Sequence, residues 1–475
     1  LKRDLAALTA REHDVLVIGG GIHGAAVAWD AAQRGLLVAL VEKGDYGSGA
    51  SWNSLKTVHG GLRHLQRADV AGLRESARER AALLRIAPRL VRPLPFLVPT
   101  FRGQRPSRLA LGVALRLSQA FAAGAGRPGG PALPVRILSA AQVRAIVPGL
   151  DAARLTGGAE WTDGQVDSTE RLLLGFLHAA ADAGAALANH VEAIGIDQDR
   201  ARVRGVVARD AESGERLRVA ARVVINAAGA ALDEVLSRAG VARPSTPMLH
   251  AANLVLGSTP VTTHGVGARS GGRFLFLVPW RDRAIAGTTY DGAGPPAASA
   301  FLSEVQRAWP WAALASADVT LVHRGRVPGV TGAALFSRSR VLDHRRDGGP
   351  AGLLSLLSAK YTTARATAET AVDAAVGRLS GRPAPCRTAT TPLRRAAPLE
   401  GTLAEQTRAA VREEAALHLD DCLLRRLDLA TAGRPAPAAV DEVAAVMAQE
   451  LGWDAARAAR ERVRLEEALC ATEAR

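Results

Sequence analysis

Cysteine is nearly absent from these 475 residues: Cys386, Cys422 and Cys470 occur, and no two form a Cys-x-x-Cys pair. That excludes a redox dithiol and a cysteine-held metal cluster, and it fits a reducing compartment. Lysine is scarce too, present only as Lys2, Lys43, Lys56 and Lys360, whereas arginine abounds, a bias of composition rather than of function. No apolar run is long and uninterrupted enough to span a bilayer, and the opening LKRDLAALTAREHD is charged, without a signal-peptide core. The expected location is therefore cytoplasmic, free or peripheral on the cytoplasmic membrane face. Acidic residues fall short of basic ones, leaving a formal net charge of +14. Such an excess suits anionic partners. The basic residues are spread along the chain with no dense tract, which argues against nucleic acid.

What is present is a hydrophobic fraction of 48%, that of a globular protein with room for two or three domains. Near its start, HDVLVIGGG reads as a short buried strand, Val15 to Ile18, running into a glycine turn. Gly19, Gly21 and Gly24 fit Gly-x-Gly-x-x-Gly. A helix follows from Ala25 to Arg34, stopped by Gly35, and LLVALVEKGD gives a second strand ending at Glu42. Strand, turn, helix, strand and an acidic residue about 20 positions on make the dinucleotide fingerprint with its whole context. The glycines permit a tight turn, the helix N-terminus offers amides and partial positive charge to a pyrophosphate, and Glu42 can accept from ribose hydroxyls. NAD and FAD both use such a turn. Its place near the N-terminus leans towards FAD, but the motif alone does not decide.

A second constellation is SWNSLKTVHGGLRHLQ, residues 51–66. His59, Gly60 and Gly61 let backbone approach a flat ring. Arg63 falls on the first turn of a helix starting near Leu62, where its guanidinium can hold a carboxylate or phosphate in a forked contact, or simply be solvated. Further on, Asp167 and Glu170 in QVDSTERLL read as a capping box. Val223 to Ile225 is an apolar strand ending in the small-residue turn NAAG. GLLSLLSAKYTTARATAETA reads as a strand, a turn at Ser358 to Lys360, and a helix with a second positive N-terminus.

In this order the segments resemble the FAD-dependent glycerol-3-phosphate dehydrogenases, of the D-amino-acid-oxidase-like flavoprotein class. APRLVRPLPFLVP, WTDGQVDSTERLLLGFLHAAADAGA, FLFLVPWRDRAIAGTTYDG and HLDDCLLRRLDLA extend the resemblance over most of residues 10 to 430. It implies an α/β fold: a Rossmann-like FAD-binding domain of the glutathione-reductase or D-amino-acid-oxidase type, a substrate domain built on an antiparallel sheet, and a C-terminal helical domain. The expected ranges are 10–100, 135–240 and 340–378 for the first, 241–339 for the second and 390–475 for the third. The cofactor implied is FAD, held by Gly19, Gly20, Gly21, Gly24, Glu42, Lys43, Ser51, Lys56, His59, Gly60, Gly61, Val191, Ala227 and Gly229. Amides of Tyr361 and Thr362 would face the flavin pyrimidine ring and stabilise the charge gained on reduction. The reaction implied is hydride transfer from C2 of sn-glycerol 3-phosphate to flavin N5, giving dihydroxyacetone phosphate, with electrons passed to a quinone-type acceptor.

On the substrate side, Arg63 matches the family's phosphate-binding arginine, and His64 stands where the family has a tyrosine. Arg338 and Lys360 match further basic positions. The family's Gly-Val-Arg-Pro reads RGRVP here, so the arginine position is Val327, with Arg326 one step and Arg324 three steps earlier. A one-residue shift in a strand reverses the face, so Arg326 serves only if a bulge restores it. Leu55 also replaces a hydroxyl residue. His250 in PMLHAANLVL is the candidate base, with a structural strand-end histidine as the alternative; His323 is a lesser candidate, and His59 is expected to pack against the flavin. These departures leave room for a different hydroxy acid or an amine as substrate, or for an inactive flavin-binding homologue. Residues 96–125 mix apolar residues with arginines and read either as a basic amphipathic segment for a membrane surface or as a core helix.

Overall fold

The first strand, His13–Ile18, lies inside a mostly parallel sheet, as its nearly unbroken burial requires. The structure is a computed structural model; it describes all residues except 62–63, 65–68, 105–106, 124–134, 243–244, 258–261, 331–333, 337 and 474–475. From edge to edge the sheet's main path runs Arg340–Asp343, Leu353–Leu357, Arg216–Asn226, His13–Ile18, Val38–Val41 and Ala186–Ala188. Pairing is parallel throughout except at the first edge. Parallel neighbours need helical crossovers. The helix Ile22–Gln33 is one, rich in alanine, and it packs against helices Ala364–Val376 and Thr169–Asp182. Trp29 and Phe176 meet edge to face there, their ring centroids 5.2 Å apart.

The second sheet has ten strands, largely antiparallel. It includes Met248–Leu256, Gly265–Ser270, Arg273–Trp280, Arg283–Asp291 and Val319–Val330, as the sequence suggests for 241–339. It also takes in Thr57–Val58, Val91–Phe101, Arg136–Leu138 and Leu155–Val166. The expected boundary is corrected accordingly: these stretches fall within 10–100 and 135–240 but hydrogen-bond into the substrate-side sheet. Val91–Phe101 pairs antiparallel with Leu155–Val166 over its whole length and parallel with Gly265 and Val266 at Phe96 and Leu97. Such long-range pairing leaves no local trace in the chain.

The C-terminal helices Leu403–Glu414, Pro437–Leu451 and Ala455–Cys470 pack on this larger sheet through a core shared with Trp52, Phe96, Trp280 and Leu321. A π-turn at Asp421–Arg426 joins them to the smaller sheet. There Asp45 receives Arg426 through both oxygens, at 2.7 and 2.8 Å, and Arg425 at 2.6 Å. The capping expectation at Asp167 is also corrected. Ser168 caps the helix Thr169–Asp182, accepting from the Arg171 amide, because Glu170 is drawn inward by Lys56. The segment 96–125 divides into the end of a strand and the helix Arg108–Ala123. Leu111 and Leu115 are buried in the core, while Leu109, Val113 and Leu117 are exposed.

Candidate functional site

Only glycine fits the turn after the first strand. Gly19 has φ of +106°, and a Cβ on it would lie 2.7 Å from the Ala227 carbonyl oxygen; on Gly24 a Cβ would lie 1.8 Å from the Gly19 carbonyl oxygen. A Cβ on Gly20 would meet the Tyr46 ring at 2.7 Å. Gly21 is the N-cap of the helix Ile22–Gln33 and brings no side-chain cap, and Ser51 Oγ accepts the Ile22 amide at 3.0 Å. Glu42 closes the turn, accepting Gly20 N–H at 2.6 Å and Gly44 N–H at 2.8 Å; burial pushes its carboxyl above the usual range. Ala227 donates its N–H to the Ile18 carbonyl, and Gly229 opens the next turn. Gly19, Gly20, Gly21, Gly24, Glu42, Ser51, Ala227 and Gly229 thus gather at the carboxyl ends of the parallel strands, where this architecture binds ligands.

His23, on the first turn of that helix, is a residue the sequence reading passed over. It hydrogen-bonds to the backbone of Lys360, at the start of another helix, and burial pushes its imidazole down to about 4. Its Nε2 is buried with no partner among the described residues. An orphaned nitrogen between two helix N-termini fits a bound polar cofactor that would complete it. The signal was in plain view, a polar ring inside Gly-x-Gly-x-x-Gly.

Three nominated residues are placed otherwise. Lys43 is exposed, 3.6 Å from Glu234. Val191 lies in the core, its N–H donating to the Glu42 carbonyl at 2.8 Å. Lys56 is completely buried, its ammonium donating to Glu170 at 2.5 Å, Thr169 at 2.8 Å and the Trp52 carbonyl at 3.1 Å. This corrects its expected role as a side-chain contact to the cofactor. A buried ammonium must be paired, and this one ties the 51–56 loop to the helix Thr169–Asp182.

The turn at His59, Gly60 and Gly61 is built around Asp163. Its carboxylate accepts Gly60 N–H at 2.7 Å, Arg80 at 2.6 Å and the Trp161 indole at 3.1 Å, with His59 Nδ1 at 3.3 Å. Gly60 has no room for a Cβ against Arg80, and Gly61 takes φ of +87° against Ser76. The His59 ring packs beside Phe96 and Phe276, at 5.7 Å from each, and stays partly exposed.

Three of the nominated substrate residues converge on one carboxylate. Lys360 Nζ lies 2.7 Å from His64 Nε2, and His64 Nδ1 lies 2.8 Å from Asp69 Oδ2. Arg338 donates to the other Asp69 oxygen, which also caps the helix Val70–Ile86 through Gly72 N–H. The guanidinium of Arg338 holds the Asp69 carboxyl far below the usual range. Burial, then the Lys360 charge, holds His64 below the ordinary imidazole value. The neutral ring therefore donates from Nδ1 to Asp69 and accepts from Lys360 at Nε2. Asp69 was not anticipated; its only trace is an aspartate ahead of an amphipathic helix. Arg63, next to His64 in the chain, lies outside the described residues. Just after Lys360, the Tyr361 hydroxyl donates to the Thr169 carbonyl at 2.8 Å, Thr362 is buried, and the helix Ala364–Val376 starts without a side-chain cap.

His250, Arg324 and Arg326 do not join this cluster, and their expected roles are corrected. Pairing between Met248–Leu256 and Val319–Val330 is regular from Met248 opposite Pro328 to Val255 opposite Leu321, so no bulge restores Arg326. Gly325 faces the loop that carries Ser51: a Cβ on it would be 3.3 Å from Ala50 Cβ. His323 shares that face, 3.3 Å from the Ser54 carbonyl. Strand alternation puts Val327 there as well and turns Arg324 and Arg326 to the opposite face. Arg324 accordingly donates to the Pro296 carbonyl at 2.9 Å, beside the helix Ala298–Ala308. His250 stands opposite Arg326 and shares the far face. On the near face its strand carries buried Asn253, which accepts from the Thr288 hydroxyl at 2.7 Å. His323 is fully buried between two carbonyls and pushed down to about 4, a structural residue.

Comparison with known proteins agrees with this geometry. Residues 14–313 match the FAD dependent oxidoreductase family, and residues 359–458 match the C-terminal domain of alpha-glycerophosphate oxidase. The chain is 32% identical over 421 residues to a glycerol-3-phosphate dehydrogenase of Synechocystis sp., covering 82% of this chain and 75% of that one. It is 31% identical over 515 residues to a glycerol-3-phosphate dehydrogenase of Mycobacterium leprae, covering 94% and 86%. Among solved structures, the glycerol-3-phosphate dehydrogenase of Bacillus halodurans complexed with FAD shares the fold at a TM-score of 0.74, with 22% identity and coverage of 98% and 96%.

Proposed function

Since this chain belongs to the FAD-dependent oxidoreductase family, among its glycerol-3-phosphate dehydrogenases, we propose that it oxidises sn-glycerol 3-phosphate to dihydroxyacetone phosphate. The observation that carries the reading is the gathering of His64, Lys360 and Arg338 immediately before the helix Ala364–Val376. The Lys360 ammonium and the half-exposed Arg338 guanidinium beside a neutral imidazole suit a dianionic phosphate. Arg63, adjacent in the chain, adds a further forked donor. FAD, when bound, supplies the hydride acceptor. The Gly21 amide and the N-terminus of the helix Ile22–Gln33 would hold its pyrophosphate, Gly19 N–H being spent on the Val41 carbonyl and Gly20 N–H on Glu42, while Glu42 would meet its ribose and His23 a neighbouring polar group. The amides of Tyr361 and Thr362 would stabilise the negative charge that the cofactor gains on reduction.

Electrons pass on to a quinone-type acceptor at a membrane surface. Leu109, Val113 and Leu117 form an exposed stripe at a spacing of four on the helix Arg108–Ala123, beside Arg108 and Arg116. No helix among the described residues is long and apolar enough to cross a membrane. Contact with the cytoplasmic face through this stripe is the arrangement we infer. The triple substitution of these three residues by glutamate should abolish co-flotation with anionic vesicles while leaving flavin reduction intact.

Val327 favours a second reading, oxidation of another hydroxy acid or an amine, because the near face of its strand lacks the expected cation. A turnover assay with a soluble quinone analogue separates the two. Dihydroxyacetone phosphate formed from glycerol 3-phosphate, with no product from glycerol or glycine, supports the first; activity on an unphosphorylated substrate alone supports the second.

A further inference from the structure

At the far end of the smaller sheet, where its parallel strands begin, four arginines border one depression of about 430 Å³. They are Arg202, Arg222, Arg345 and Arg378, with Asp343 as the single carboxylate in the wall. Arg222 immediately precedes Val223, which pairs with Val15, and Gly352 precedes Leu353. The depression therefore lies about one strand length, roughly 17 Å, from the glycine turn at the other end of the same strands. It belongs to neither the cofactor crevice nor the His64 cluster.

Charge in the wall is unbalanced. Arg378 pairs with Asp343 at 2.6 Å and also donates to the Ala374 carbonyl, so it covers the negative end of the helix Ala364–Val376. Arg222 reaches Asp14 at 3.2 Å and Ser380 Oγ at 2.8 Å. The guanidinium groups of Arg202 and Arg345, both exposed, have no hydrogen bond or ion pair among the described residues. Two uncompensated planar forks with a third cation behind them match a ligand of at least two negative charges. The floor is backbone. Gly352 has φ of +90°, and a Cβ on it would lie 2.7 Å from Val203 and 3.0 Å from the Arg222 carbonyl. The volume falls within the range of small-molecule sites.

We propose that this depression is a second anion site, taking a soluble phosphate monoester or diphosphate held in forked contacts by Arg202 and Arg345, with Arg222 as third cation. The test is calorimetric titration of the FAD-loaded Lys360→Met enzyme with inorganic pyrophosphate, so that the substrate cluster is weakened in every sample. One site per chain is expected, with affinity falling as salt rises. Adding Arg202→Ala and Arg345→Ala should weaken binding about tenfold or more, given the strength of forked contacts. The same pair of substitutions in the otherwise native enzyme should leave flavin content and reduction by substrate unchanged. Undiminished binding in the double variant, no binding to either protein, or capture of anionic vesicles without pyrophosphate binding would each overturn the proposal. Because the readout is heat of binding and not turnover, it stands or fails independently of the substrate assigned above.

Discussion

Lys360 Nζ lies 2.7 Å from His64 Nε2, an ammonium donating to an imidazole kept neutral by burial and by that same charge. The contact joins residues 296 positions apart, and Lys360 stands four residues ahead of the helix Ala364–Val376. Replacing Lys360 by Met should raise KM for glycerol 3-phosphate by about tenfold or more, the value of a charge-assisted contact. Visible flavin absorbance of the purified protein should persist, because the Tyr361 and Thr362 amides remain. Loss of flavin with KM unchanged would assign Lys360 to the cofactor instead.

His64 also gives the site an acid limit. Its pKa in the folded protein is lowered, so the unfolded chain binds more protons, and the arrangement is fully stable only above the ordinary imidazole range, about 6.5. As pH falls through that range towards the lowered value, protonation sets two cations against each other and the pair separates. The pH profile of kcat/KM should fall on its acid side, and His64→Gln, whose amide does not titrate, should lose that limb.

The two faces of Val319–Val330 make opposite predictions. Arg326→Ala removes a side chain on the far face and should leave KM within about twofold of the parent, as a surface change does. Val327→Arg adds a cation on the near face and should lower KM for a phosphorylated substrate. A large KM increase in Arg326→Ala would mean that the register differs from the one described.

Gly24→Ala forces a Cβ against the Gly19 carbonyl oxygen, 1.8 Å away, and should give protein without flavin. Gly214→Ala, at positive φ with open space around it, strains the backbone yet should leave flavin content normal. The comparison, read as the ratio of visible to ultraviolet absorbance, separates loss of the turn from general damage.

Asp45→Asn takes from Arg426 its one carboxylate partner among the described residues, in the buried junction between the smaller sheet and the C-terminal helices, while Arg425 keeps Asp420 and Asp421. It should cost about 3–5 kcal/mol, read as a lowered Tm. Glu414, held at about 2 against its burial by the His178 hydrogen bond and then by Arg171, contributes stability present above its unfolded range near 4.5 and lost as pH falls towards 2. Acid unfolding of Glu414→Gln should therefore depend less on pH in that interval.

The local features were legible in the chain. The strand at Val15–Ile18, the glycine turn, Glu42 and the small-residue helix follow from periodicity and glycine spacing, and the observed helix begins at Ile22 rather than Ala25. His64, Arg338 and Lys360 were visible as residues but not as neighbours, because Asp69, around which they gather, sits in an ordinary capping position. Lys56 looked like a cofactor contact and is an internal strut, since nothing local shows that its ammonium meets Glu170, 114 positions away. His250 and Arg326 failed on parity: the motif placed them near the right strands, and only the register shows which face they take. The boundary through Val91–Phe101 failed for the same reason, being set by pairing partners distant in sequence.

The most direct measurement is anaerobic titration of the purified FAD-loaded protein with glycerol 3-phosphate, followed by flavin absorbance. The account predicts bleaching complete at one substrate per flavin, unmatched by glycerol or glycine and shifted to much higher concentration in Lys360→Met. A flavin that glycerol 3-phosphate leaves oxidised, or that glycerol bleaches equally well, would contradict it.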